Sequence, residues 1–130
     1  MSNEKVQLAA AFSMKYQNFL LGLNIQSLRF HQDSLLVELG NLKHQPRIIA
    51  LTETWLTDND SLDGYSVPGY HAIESKPRST GRGRGGVAFY VHESASYKLL
   101  SFRTNIECLI LEVNFGQKQF FNFCVIYRPP

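Results

Sequence analysis

The 130-residue sequence predicts an α/β fold in which early strands are parallel and later ones antiparallel. Two apolar runs, residues 19–25 and 48–51, flank a segment whose leucines recur at helical spacing. From Gly86 onward every apolar stretch has the periodicity of a strand. A strand, a helix and a strand of this size form a crossover unit, almost always right-handed, which leaves its two strands parallel.

Taken in order, residues 1–18 carry a brief apolar patch at 8–12 between Glu4, Lys5 and Lys15, with no signal-peptide core. They are expected to form a weakly ordered lead-in or a weak helix, and the folded domain is expected to span 19–130. Residues 19–25 read as a strand with a single polar side chain, Asn24, close to its end. In residues 33–42, Leu35, Leu36, Leu39 and Leu42 share a helix face, and Asp33 or Ser34 can cap its start. Gly40 weakens that helix and Pro46 bars its continuation.

The stretch Ile48-Ile49-Ala50-Leu51-Thr52-Glu53-Thr54-Trp55 organises the rest. A continuous apolar run after a proline fits a strand covered on both faces. It ends in a carboxylate between two threonines, and open α/β sheets present ligand-binding groups just beyond the carboxyl ends of their strands. If the two strands are neighbours, Asn24 and Glu53 lie on one rim, an amide and a carboxylate able to share a divalent cation.

Residues 57–63 are acidic but lack the glycine and terminal glutamate of an EF-hand, so a solvated loop is expected. Residues 71–75 suggest a short strand. The loop 76–85 carries Lys76, Arg78, Arg82 and Arg84 among glycines. It suits either close approach to phosphates or a solvated hairpin tip. Residues 86–91 are a core strand, and in 106–115 Leu109, Leu111, Val113 and Phe115 fall on one face. Gly116-Gln117-Lys118-Gln119 then turns the chain into a returning strand, 120–127, which the prolines after Arg128 end.

With 13 Lys and Arg against 11 Asp and Glu, the net charge of +2 gives no general argument for a polyanionic partner. No apolar stretch is long enough for a membrane span, so an intracellular protein is expected. Cys108 and Cys124 lie in strand-like runs and read as reduced core cysteines.

Leu23-Asn24-Ile25-Gln26-Ser27-Leu28, Ala50-Leu51-Thr52-Glu53-Thr54-Trp55, Val67-Pro68-Gly69-Tyr70, Arg84-Gly85-Gly86-Val87-Ala88-Phe89-Tyr90-Val91 and Tyr127-Arg128-Pro129-Pro130 occur in succession. In order and spacing they resemble the endonuclease domains of non-LTR retrotransposons. Those domains belong to the endonuclease/exonuclease/phosphatase superfamily, with the apurinic/apyrimidinic endonucleases and deoxyribonuclease I. The resemblance runs from about Phe19 to the last residue.

It implies the N-terminal half of a four-layered α/β sandwich with mixed sheets, and magnesium-dependent hydrolysis of a DNA phosphodiester, with manganese as a substitute. By position Glu53 resembles the family's metal-binding glutamate, Asn24 the asparagine beside the metal, and Tyr127 the tyrosine that contacts the scissile phosphate. Arg78, Arg82, Arg84 and Arg128 would make sequence-independent contacts to the DNA backbone. Such an enzyme acts in the nucleus.

The chain departs from the family in lacking a Gly-Asp-Asn type motif and a closing Ser-Asp-His motif. His31, His44, His71 and His92 are in the wrong places to replace the missing histidine. The expectation is therefore a catalytically incomplete fragment, whose strands lack a second sheet and leave an apolar face open to aggregation or self-association. Two alternatives remain open: a domesticated, non-catalytic module binding nucleic acid or a partner, and a phosphoesterase of the same superfamily with another substrate.

Overall fold

The computed structural model describes residues 10–13, 19–78, 84–100 and 107–127. Strand β1 (Ala10–Ser13) precedes β2 (Phe19–Asn24), helix α1 (Leu28–Gly40) and β3 (Ile48–Thr52). A 3-10 turn at Leu62–Tyr65 leads to β4 (Glu74–Lys76) and β5 (Val87–Val91). Strands β6 (Ser96–Leu100), β7 (Glu107–Asn114) and β8 (Phe120–Tyr127) follow.

The fold is mixed α/β with two sheets. One is mixed, in the order β1-β2-β3-β5-β4, and the other is antiparallel, in the order β6-β7-β8. As the crossover predicts, β2 and β3 are parallel neighbours, with Asn24 opposite Thr52. The alternation of side chains along the central strands builds two cores. Ile49, Leu51, Ala88 and Tyr90 face Leu28, Leu35 and Leu39 of α1. Ile48, Val87, Phe89 and Val91 face Leu109, Leu111, Val113 and Val125 of the second sheet. Strand β3 is thus covered on both faces, as its unbroken apolar run requires.

Several expectations are corrected. The expected open face is instead packed on a second sheet of the chain's own, because the β7-β8 hairpin lays its inward row across β3 and β5. Apolar exposure lies elsewhere, at Phe120, Phe121 and Ile126 on β8 and Leu99 on β6. The lead-in contributes β1, which pairs antiparallel with the edge of β2 not used by β3. An unpaired strand edge is a ready partner for neighbouring backbone, and this outweighs the weak helical pattern.

The helix begins at Leu28, with Ser27 as its cap, and not at Asp33 or Ser34. The Ser27 Oγ accepts from the Phe30 N–H at 3.2 Å. The exposed run Arg29-Phe30 hides the apolar period of the first turn, although Leu28 itself is fully buried. The strand expected at 71–75 is displaced to Glu74–Lys76. Between the Tyr70·His92 bridge and the Glu74·Phe89 pair, one chain has three residues and the other two, a bulge that delays regular pairing.

Both cysteines are free, but they are not core residues. Leu109, Leu111 and Val113 take the inward positions of β7, which turns Cys108 outward, and Cys124 on β8 is exposed. Partial burial, then neighbouring Cys108, raises the Cys124 thiol pKa. Among the described residues no helix is long and apolar enough to cross a membrane.

Candidate functional site

The Glu53 segment leaves the sheet in a backbone conformation that L-residues avoid. Glu53 has φ +57° and Trp55 φ +58°, each costing on the order of 1–2 kcal/mol. Hydrogen bonds on both sides hold it there. The carbonyls of Thr52, Glu53 and Thr54 accept from the N–H groups of Ile25, Ser27 and Leu28 at 3.0, 2.9 and 2.9 Å. On the other side the N–H groups of Thr54 and Trp55 donate to Gly86 and Gly85 at 3.3 and 2.8 Å. Gly86 approaches so closely that an added Cβ would lie 2.5 Å from the Thr54 Oγ1.

The segment is therefore clamped between the β2-α1 turn and the loop before β5. Its buried residue, Thr54, takes part in the clamp and accepts from the Leu56 N–H at 3.4 Å. Glu53 is left half-buried at the rim, where its Oε2 accepts from the Trp55 Nε1 at 2.5 Å.

Tyr127 reaches the same rim from the far end of β8. Hydrogen bonding to Glu53, ahead of desolvation and the carboxylate's charge, raises the phenol's pKa, while Arg78 pulls it down. The phenol is thus held protonated beside the Glu53 carboxylate. The Arg78 guanidinium sits 5.7 Å from the Tyr127 ring centroid. Asn24 is exposed at the end of β2, one register position short of Glu53.

Glu107 belongs to this group, and the sequence reading passed over it. Its Oε1 accepts from the Gly86 N–H at 2.6 Å and its Oε2 from the Arg78 Nε at 3.1 Å. It stands opposite Tyr127 in the β7-β8 register. The carboxylate raises the pKa of the Arg78 guanidinium, chiefly through this hydrogen bond. A signal was present: 107 has the same parity as inward-facing 109, 111 and 113, and a charge at an inward strand position needs a partner.

The arginines thus differ from one another. Arg78 is folded against Glu107 and Tyr127, whereas exposed Arg84 stacks over the Trp55 ring at 5.0 Å. Arg82 and Arg128 lie outside the described residues. The acidic loop has no cation-site geometry. Asp60 accepts from the Thr57 N–H at 2.7 Å and pairs with Arg29, and the Thr57 backbone bond is the main cause of its lowered pKa. Three of the four histidines are engaged locally: His31 with Gln26 and Ser27 carbonyls, His71 with the Ala95 carbonyl, and His92 with Ser94. His44 is exposed.

Among the described residues no group of three or more His, Cys, Asp or Glu is placed to hold a metal. With Glu107 taken up by Gly86 and Arg78, the oxygen donors left at the rim are the Glu53 carboxylate and the Asn24 amide at the end of the neighbouring strand. Such a set fits a small, hard cation that keeps most of its water shell and shares substrate oxygens, as magnesium does. It does not fit a dedicated zinc or calcium cage. No family model matches the chain, and no curated protein matches it.

Proposed function

We propose that this chain forms the N-terminal half of a magnesium-dependent DNA endonuclease domain of the non-LTR retrotransposon type. One observation carries the reading. Glu53, Tyr127, Arg78 and the tip of Asn24's strand come from separate stretches of sequence and gather at one end of the two sheets. A buried backbone clamp holds the carboxylate there in a strained conformation, and such strain concentrates at functional sites.

On this reading Glu53 and Asn24 hold the cation, which when bound supplies positive charge to the phosphoryl and leaving oxygens. Tyr127 donates its hydroxyl to a phosphate oxygen and so orients the ester. Arg78, fixed by Glu107, adds positive charge beside it. Exposed Arg84 meets the neighbouring backbone phosphate, and Arg82 and Arg128 extend that contact. The general base comes from the Gly-Asp-Asn and Ser-Asp-His motifs that this sequence lacks, so the 130 residues alone do not turn over. The outer face of β8, with Phe120 and Ile126 exposed, receives the fourth layer of the complete sandwich. The site of action is nuclear DNA.

The test is nicking of supercoiled plasmid by the longer product that supplies both motifs. Nicking requires magnesium, and Glu53→Gln lowers it on the order of 100-fold or more. Undiminished nicking by that variant removes Glu53 from the mechanism. A non-catalytic DNA-binding module is the second reading, favoured by exposed Arg84 on Trp55 without a general base nearby. It predicts salt-sensitive binding by this chain with no cleavage in any longer product.

A further inference from the structure

Beside Glu53 lies an open hollow of about 270 Å³, lined by Gln26, Ser27, Phe30, His31 and Trp55. None of the five is an acid or a permanent cation, and three carry aromatic rings. The hollow therefore selects against an ion and for a flat, uncharged ring surface. Its volume is below the range of drug-sized pockets and suits one ring system.

Phe30 is 61% exposed on a helix whose buried face is Leu28, Leu35 and Leu39, so packing does not account for it. Its ring is braced edge-on by His31 at 5.0 Å between centroids. The His31 ring is itself held on the Gln26 and Ser27 carbonyls at 3.0 and 3.2 Å. Trp55 is pinned by its Nε1 to Glu53, and Arg84, which stacks on the same indole, does not line the hollow. Gln26, Ser27 and Trp55 all hold positive φ, at +47°, +85° and +58°. The chain thus sustains strain at three of the five lining positions to keep these side chains where they are.

We infer that this hollow is a stacking subsite for one unpaired nucleobase of the strand whose phosphate lies at Glu53. The inference rests on the nucleic-acid reading above and names what that site recognises next to the phosphate. A paired base inside a duplex already has its faces covered, so the occupant is a base from a single-stranded or locally opened segment. Its backbone carries the charge that Arg84 complements, and the indole N–H on Glu53 leaves the stacked base one side chain from the carboxylate. Stacking reads a π-face rather than a hydrogen-bond pattern, so the subsite tolerates any base.

The experiment uses the 130-residue chain, whose single tryptophan is in the hollow. Emission from Trp55 is followed while a short oligothymidylate, or an abasic phosphodiester of equal length and charge, is added at low ionic strength. The expected result is quenching and tighter binding with the base-bearing strand only. Phe30→Leu keeps an apolar side chain without a π-face and should weaken oligothymidylate binding by roughly 5-fold to 150-fold. Phe30→Tyr, which returns a π-face without adding a second tryptophan, should restore it. Equal affinity for the two strands, or an unchanged affinity in Phe30→Leu, overturns the subsite and leaves phosphate binding intact. Binding of neither strand overturns the nucleic-acid reading and the subsite with it. Because Phe30 is outside the core, the variants keep the fold, which far-ultraviolet circular dichroism checks.

Discussion

Replacing Gly86 by alanine tests the backbone clamp on which the site depends. Gly86 has φ +89°, and an added Cβ would lie 2.5 Å from the Thr54 Oγ1. Thr54 is 1% exposed and cannot swing into solvent to make room. The left-handed backbone costs an L-residue about 1–2 kcal/mol and the forced contact about 1–3 kcal/mol more. Alanine recovers roughly 0.4–1 kcal/mol by restricting the unfolded chain, leaving a net loss of about 1–4.5 kcal/mol. That is a large share of the ~5–15 kcal/mol that holds a typical domain folded. Urea unfolding followed by Trp55 emission measures it, since the only tryptophan sits one residue beyond the contact. Gly40→Ala is the control. Its Cβ meets nothing within 4 Å at the end of α1, so it should stabilise by about 0.5–1 kcal/mol. A Gly86→Ala protein within about 0.5 kcal/mol of the parent would refute the close approach, and with it the claim that Gly86 holds Glu53 in place.

Glu107 makes a related prediction. Glu107→Leu strands the buried Gly86 N–H and should cost about 1–3 kcal/mol from that group alone, whereas Glu107→Gln keeps an acceptor and should lose less. Chemical denaturation of the pair decides it, and equal losses would mean that the Gly86 bond contributes nothing. At alkaline pH, Tyr97 is the residue to follow. Burial, then its hydrogen bond to Glu74, pushes its phenol up from 10.0 to about 12. The folded chain therefore binds this proton more tightly than the unfolded one. The stabilisation is complete below pH 10 and disappears as pH rises through about 12. Tyr97→Phe should flatten that part of the stability profile, and an unaltered slope would exclude Tyr97 as its source.

The sequence was most informative where one period governed a whole element. An unbroken apolar run cannot solvate either face, so β3 had to be central, and the alternation of Leu109, Leu111 and Val113 had to give one buried row. It was least informative where tertiary partners decide. Ser27 caps α1 from a φ of +85°, a conformation no local preference for serine predicts and one that its backbone bond to Glu53 stabilises. β1 exists because β2 offers a free edge, a fact about pairing rather than about residues 10–13. The open face expected for a half-domain disappears because the β7-β8 hairpin folds across β3 and β5.

The site shows the same division. Glu53 was legible as the polar end of a strand, and Tyr127 as the last residue of a strand that Arg128 and two prolines end. What makes them neighbours is Glu107, whose carboxylate takes one bond from the β5 loop and one from Arg78 while standing opposite Tyr127 in register. Without that carboxylate, Arg78 would have no fixed partner next to the Tyr127 ring, and the loop and the second sheet would lose their polar link. An inward charge in an otherwise apolar row is costly unless its partners are built for it. Here those partners are the glycine that clamps the Glu53 segment and the arginine that faces the tyrosine. Glu107 therefore couples the strand that presents the carboxylate to the strand that presents the phenol, so a change in either sheet is felt at the rim.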